Sequence, residues 1–113
     1  MICDYGDVVV VPFPFVERDV VKPRPSVVLS SRTFNGENGS SVLAMITTGA
    51  GSHWPSDLRI VDGASAGLNH PSVIRWKLFT LPNELIAKVA GRLGSGDLAA
   101  VAAAGRNILF ADA

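Results

Sequence analysis

Lys22-Pro23-Arg24-Pro25-Ser26-Val27-Val28-Leu29-Ser30 is the stretch on which the fold turns. It joins a charged, proline-bounded turn to the start of an apolar strand. Each proline fixes its own φ and restricts the residue before it, so Arg24 is launched from a nearly immobile backbone. The strand that follows through Val27 and Val28 is core-forming and anchors that base. A guanidinium held in this way suits the presentation of one planar cation to a phosphate. The same residues also describe an ordinary sharp loop end with a basic side chain, and the segment alone does not decide between the two.

Upstream of this stretch, Gly6-Asp7 is a turn signal and residues 8–15 predict a first strand rich in β-branched and aromatic residues. Pro12 and Pro14 cannot donate to a ladder, so its later half lies at an edge or past the strand's end. Residues 16–25 form a first loop bearing both signs of charge, and residues 25–31 form the second strand. Downstream, residues 32–41 are a Gly/Asn/Ser-rich connection in which Asn35-Gly36 is the strongest hairpin cue of the chain. Residues 42–47 alternate as a third strand, with Val42, Ala44 and Ile46 on one face and Leu43, Met45 and Thr47 on the other. A loop at 48–55 precedes a fourth strand at 57–61, a turn-rich stretch at 62–71, one or two short strands at 72–81 and a strand at 85–93. Ser95 is placed to cap a final helix, Asp97 suits the positive end of its dipole, and Leu98, Val101, Ala102, Gly105, Ile108 and Leu109 follow a 3.6 period. Gly105 costs that helix about 1 kcal/mol relative to alanine and predicts a neighbour packed close to it. The expected fold is mainly β with a C-terminal helix, a small SH3-like or barrel-like antiparallel sheet in a single domain over residues 1–113.

Composition narrows the function classes. The chain has 113 residues, 48% hydrophobic and 18% charged. That length permits burial of roughly two thirds of the unfolded surface in a core without staples. No apolar run approaches the length of a membrane span, and Met1-Ile2-Cys3-Asp4 lacks the head of a signal peptide, so a cytoplasmic protein away from membranes is expected. The single cysteine, Cys3, excludes an internal disulfide and a cysteine-based zinc site. Ten basic and ten acidic residues cancel, which argues against tight non-specific binding to long duplexes but not against a local cluster that grips a few phosphates. The low charge and apolar excess also predict that another chain covers part of the surface.

His53 and His70 lie in separate loops without carboxylates at ligand spacing, and no phosphate-binding or dinucleotide glycine motif occurs, so neither a metal nor a cofactor is expected. What remains is Arg24 and the pair Thr47-Thr48 at the end of the third strand. Arginine neutralises a phosphate oxygen, and a strand-end hydroxyl donates to the same group. Thr47 is equally an ordinary β-branched strand terminus. His53 and Trp54 offer a proton carrier and a stacking surface for an unpaired base, or simply a solvated histidine and a tryptophan capping the core.

Gly6-Asp7-Val8-Val9 with a Pro/Phe strand end, then Lys22-x-Arg24-Pro25-x-Val27-Val28-Leu29-Ser30, then Ala44-Met45-Ile46-Thr47, resembles the MazF/PemK toxins of type II toxin–antitoxin systems. Ile86-x-x-x-x-Gly91-Arg92-Leu93 and the helix from Asp97 extend the resemblance over nearly the whole chain. It implies a homodimeric endoribonuclease that cuts single-stranded mRNA without a metal, through a 2′,3′-cyclic phosphate, and that a cognate antitoxin neutralises. It carries catalytic roles to Arg24 and Thr47, with Thr48 as the competing threonine, and a substrate-attracting role to Lys22. The loops at 16–23 and 48–56 are where base recognition is expected. The alternatives are an inactive binding domain of the same fold and a CcdB-like gyrase inhibitor; the latter fits poorly, because the chain ends Leu109-Phe110-Ala111-Asp112-Ala113 rather than in a Trp-Gly-Ile sequence.

Overall fold

The computed structural model describes residues 1–12 and 23–110. Strand β1 (Asp7–Pro12) is flanked by β2 (Pro23–Val28) on one side and by the edge strand β6 (Lys88–Arg92) on the other. With β3 (Ser40–Thr47), β4 (Leu58–Arg59) and β5 (Val73–Pro82) these strands form one curled six-stranded sheet, ordered β4-β5-β3-β2-β1-β6, in which every pairing is antiparallel. Helix α1 (Arg32–Asn38) connects β2 to β3, and α2 (Ser95–Leu109) closes the chain. The expected mainly β fold with a C-terminal helix is the observed one. Among the described residues no helix is long and apolar enough to cross a membrane.

The valine run of β1 is continuous because both of its faces are covered. Val8 packs with Val27, Ala44, Ile46, Ile74, Trp76 and Val101 on one face, whereas Val9 and Val11 pack with Val28, Leu43, Phe79 and Leu81 on the other. Period-two alternation thus holds through three neighbouring strands, as read for β3 from its sequence. Helix α2 lies on the first face, where a Cβ at Gly105 would stand 3.4 Å from the Trp76 ring. That is the close neighbour the glycine predicted.

Four details depart from the sequence reading. Asn35-Gly36 is not a hairpin turn but the middle of α1. Ser31 caps this helix by accepting from Phe34 N at 3.1 Å, and Gly39 ends it in the left-handed region at φ 67°. The fourth strand shrinks to Leu58–Arg59, because the flanking groups are engaged elsewhere: Asp57 binds Arg75, and Val61 N donates to Asp97. The N-cap of α2 is Gly94, not Ser95; Asp97 is buried and accepts from Val61 N and Asp62 N at 3.0 and 2.9 Å, tying the helix to the preceding turn. Finally, Arg24 belongs to β2 itself rather than to a turn before it, paired with Val11 of β1. The expected later half of the first strand, the charged first loop and Lys22 lie outside the described residues.

Candidate active site

Proline decides where the sheet opens. Strand β2 pairs with β3 only through Ser26↔Met45, Val27↔Ala44 and Val28↔Leu43. Continuing that register would set Pro25 beside Ile46 and Arg24 beside Thr47. Pro25 has no N–H to contribute, and pairing stops at Ser26. On its other side β2 stays laddered to β1 down to Pro23, and β3 stays laddered to β5 through Thr47↔Val73. The two strands therefore part between rigid neighbours, with Arg24 and Thr47 across the gap.

A cavity of about 350 Å³ opens there. Arg24, Thr47 and Thr48 all line it, so the fold brings together three of the residues singled out from the sequence. Lys88 joins them because it pairs with Val10, which on its other edge pairs with Pro25. His70, Asn69 and Ser72 complete the polar lining, and among the described residues no aspartate or glutamate lines the cavity. A cavity with two cations and no lining carboxylate favours an anion.

Both threonines sit in local turns of their own. Thr47 Oγ1 accepts from Gly49 N at 3.3 Å and Thr48 Oγ1 from Ala50 N at 3.4 Å, which leaves each hydroxyl hydrogen to donate. Thr47 is half-buried at the end of the β3 ladder, and Thr48 is exposed beyond it. Thr47 is thus the better-fixed donor. His70 is held through its backbone: its carbonyl accepts from Ser72 Oγ at 2.8 Å, and the Ser72 carbonyl accepts from Ile60 N at 3.0 Å. The segment also presses on β6 at Gly67, where φ is +72° and a Cβ would stand 2.1 Å from the Ala90 carbonyl oxygen. Only glycine meets both demands.

His53 and Trp54 do not line this cavity. They belong to a second cluster built around Arg75, which is buried on β5. Its guanidinium binds the Asp57 carboxylate bidentately at 3.0 and 2.8 Å, donates to Ser52 Oγ at 2.7 Å, and lies 5.6 Å from the centre of the Trp54 ring. His53 Nδ1 is 3.8 Å from Asp57 Oδ2. The hydrogen bonds from Arg75 hold the Asp57 carboxyl below the usual carboxylate range, and the same pairing pushes the Arg75 guanidinium up. This cluster pins residues 52–57, the far end of the loop that leaves the cavity at Thr48. Burial raises the Cys3 thiol, which keeps it a protonated bystander. Among the described residues no group of three or more His, Cys, Asp or Glu side chains is placed to hold a metal ion.

Lys88 and His70 were not singled out for this site from the sequence. Nothing in their spacing signals it: Lys88 arrives by the pairing of β6 with β1, and His70 by the close approach that Gly67 allows.

A family model described as PemK-like, MazF-like toxin of type II toxin–antitoxin system matches residues 4–109. The structure is similar to MazF (Form-I) from Deinococcus radiodurans, with a TM-score of 0.74 and 20% identity, over 97% of this chain and 98% of that one. It is similar to an endoribonuclease in complex with its cognate antitoxin from Mycobacterial species, with a TM-score of 0.73 and 14% identity, over 96% of this chain and 94% of that one. The Mycobacterium tuberculosis toxin MazF-mt6 gives a TM-score of 0.70 and 22% identity, over 89% of this chain and 93% of that one. No curated protein sequence matches significantly.

Proposed function

The chain belongs to the PemK-like, MazF-like toxins of type II toxin–antitoxin systems, and from that premise we propose that it is a metal-independent endoribonuclease acting on single-stranded mRNA. The observation that carries the reading is the parting of β2 and β3, which leaves Arg24 and Thr47 next in register on a cation-lined cavity. A phosphodiester seated there meets a guanidinium and a hydroxyl donor on rigid strands. The RNA's own 2′-oxygen attacks the adjacent phosphorus. The O2′–P bond forms and the P–O5′ bond breaks, giving a 2′,3′-cyclic phosphate and a 5′-hydroxyl. Arg24 stabilises the charge that accumulates on the non-bridging oxygens, and Thr47 donates to the same group. Arginine is a poor base at its ordinary pKa, so proton movement falls to His70, the imidazole of the cavity. Thr48 and Lys88 hold the flanking backbone. Lys22, His53 and Trp54 are assigned to substrate capture outside the cavity, Trp54 through the ring face not turned to Arg75.

The protein acts as a cytoplasmic homodimer, and a cognate antitoxin with an acidic, disordered segment covers the cavity. An apolar groove along α2, lined by Tyr5, Leu29, Trp76, Leu109 and Phe110, supports coverage by a second copy.

The test is incubation of mixed-sequence single-stranded RNA with the protein in EDTA. Cleavage is expected to persist and to leave cyclic phosphate ends, and Arg24→Ala is expected to slow it about 10²-fold or more. Intact RNA with the wild type, or unchanged cleavage with Arg24→Ala, would overturn the reading. Ends carrying a 3′-phosphate with no cyclic intermediate would refute attack by the 2′-oxygen.

A further inference from the structure

The net charge of zero hides a partition. Among the described arginines, Arg32, Arg75 and Arg92 are each within salt-bridge distance of a carboxylate, on Asp4, Asp57 and Asp7 respectively. Arg59 is different. It is exposed on β4 at the edge of the sheet, where its backbone pairs with Val73, and among the described residues its side chain makes no hydrogen bond or ion pair. A cation on an edge strand also discourages edge-to-edge pairing. What sets Arg59 apart is the space beside it.

Arg59 lines a second cavity, of about 510 Å³, together with Ile60, Val61, Asn69 and His70. This cavity and the one at Arg24 share the segment Leu68, Asn69, His70 and Ser72, which therefore forms the ridge between them. Among the described residues no aspartate or glutamate lines either. The ridge is fixed on both sides, through Ile60 N to the Ser72 carbonyl at 3.0 Å and through the Gly67 contact with Ala90. Asn69 lines both spaces and carries an amide that donates and accepts, the kind of group that reads the edge of an unpaired base. Val61, 85% exposed, adds apolar surface against which a base packs.

We propose that this second cavity is a nucleotide subsite: it takes the unpaired nucleotide next to the scissile phosphate of a single-stranded RNA, with Arg59 on that nucleotide's phosphate and Asn69 on its base. The subsite rests on the ribonuclease reading above and extends it from one phosphodiester to a path across the ridge. Recognition then falls on residues 59–72 rather than only on the loops expected from the sequence.

The experiment uses fluorescein-labelled, fully 2′-O-methylated octanucleotides of mixed sequence, which bind without being cut, and measures anisotropy over a range of salt. Arg59→Gln is expected to weaken binding about fivefold near 0.1 M salt and to flatten the plot of log affinity against log salt by about 0.7, the contribution of one phosphate on a single strand. Arg59→Lys is expected to restore the slope. Cleavage of unmodified RNA by the wild type is measured in parallel. If the wild type cleaves while Arg59→Gln binds with unchanged affinity and slope, the subsite is wrong and the ribonuclease reading stands. If the wild type neither binds nor cleaves, both fall together.

Discussion

Cleavage by a 2′-oxygen asks for two proton transfers, one from the attacking hydroxyl and one to the departing 5′-oxygen, and neither guanidinium nor threonine exchanges protons readily near neutrality. His70 shares the cavity with Arg24 and Thr47, and its backbone is fixed by the Ser72 hydrogen bond at 2.8 Å. His70→Gln is therefore expected to lower kcat about 10²-fold on ordinary RNA. A substrate with sulfur in place of the 5′-oxygen releases a thiolate that needs no proton, so the same variant should lose less on it, by the part of the rate that leaving-group protonation supplies. An equal loss on both substrates would deny His70 a part in protonating the leaving oxygen. The contrast with Arg24 explains what was legible at this scale. Arg24 and Thr47 announce themselves by local chemistry, a proline-clamped cation and a strand-end hydroxyl. His70 and Lys88 are ordinary residues until β6 pairs with β1 and Gly67 lets the ridge approach, and neither event leaves a mark on their own sequence neighbourhoods.

The loop from Thr48 to Asp57 has little apolar surface of its own, and Arg75 on β5 organises it. The guanidinium holds Ser52, Trp54 and Asp57 at once. Breaking such a pair by Asp57→Asn leaves a buried cation and is expected to cost about 3 kcal/mol in chemical denaturation at neutral pH. The pH dependence has a definite sign. The folded-state carboxyl lies below its unfolded value of about 3.9, so its stabilisation is full above that value and is lost as pH falls through the folded pKa. Wild-type stability should thus fall faster than that of Asp57→Asn below about pH 4, and the two curves should converge. A constant gap down to pH 2 would mean that the pair is not the source. The double variant Arg75→Met/Asp57→Leu separates scaffold from site. It should regain most of the lost stability yet cleave RNA slowly, because Ser52 and Trp54 are no longer held; full recovery of rate would deny the loop a part in the reaction. Elements differed in how well sequence disclosed them. Strand β3 was plain as a short continuous apolar run, because both of its faces pack in the core. Helix α1 was obscured by Asn35-Gly36, whose hairpin chemistry is real in isolation. Here Asn35 is wholly buried, with its side-chain amide donating to the Cys3 carbonyl at 2.9 Å, and the Ser31 cap and Gly39 stop bracket a helix instead. Tertiary burial of one amide outweighed a local turn preference.

Across the whole molecule, ten basic and ten acidic residues cancel, yet carboxylates are spent on Arg32, Arg75 and Arg92 while none of the described ones lines either cavity. Composition reports the sum and not the partition, which is why neutrality argues against tight non-specific binding to long duplexes and leaves a local cluster for a few phosphates open. The apolar excess has a counterpart on the surface. Ile108, Leu109 and Phe110 remain 44%, 48% and 64% exposed at the end of α2, beside the groove of about 260 Å³ that Trp76 helps to line. A single chain leaves this surface in water. In a two-fold dimer each substitution acts twice, because the same patch serves both copies. Burying one such side chain contributes about 1.5–3 kcal/mol, so Phe110→Asp should weaken association by at least about 3 kcal/mol, a hundredfold or more in dissociation constant. Sedimentation equilibrium over a dilution series reads this directly. The wild type should run as a dimer and Phe110→Asp as a monomer at the same concentration, with circular dichroism unchanged because the side chain is outside the core. A wild-type monomer at all concentrations, or a dimer indifferent to Phe110→Asp, would move the second copy away from α2.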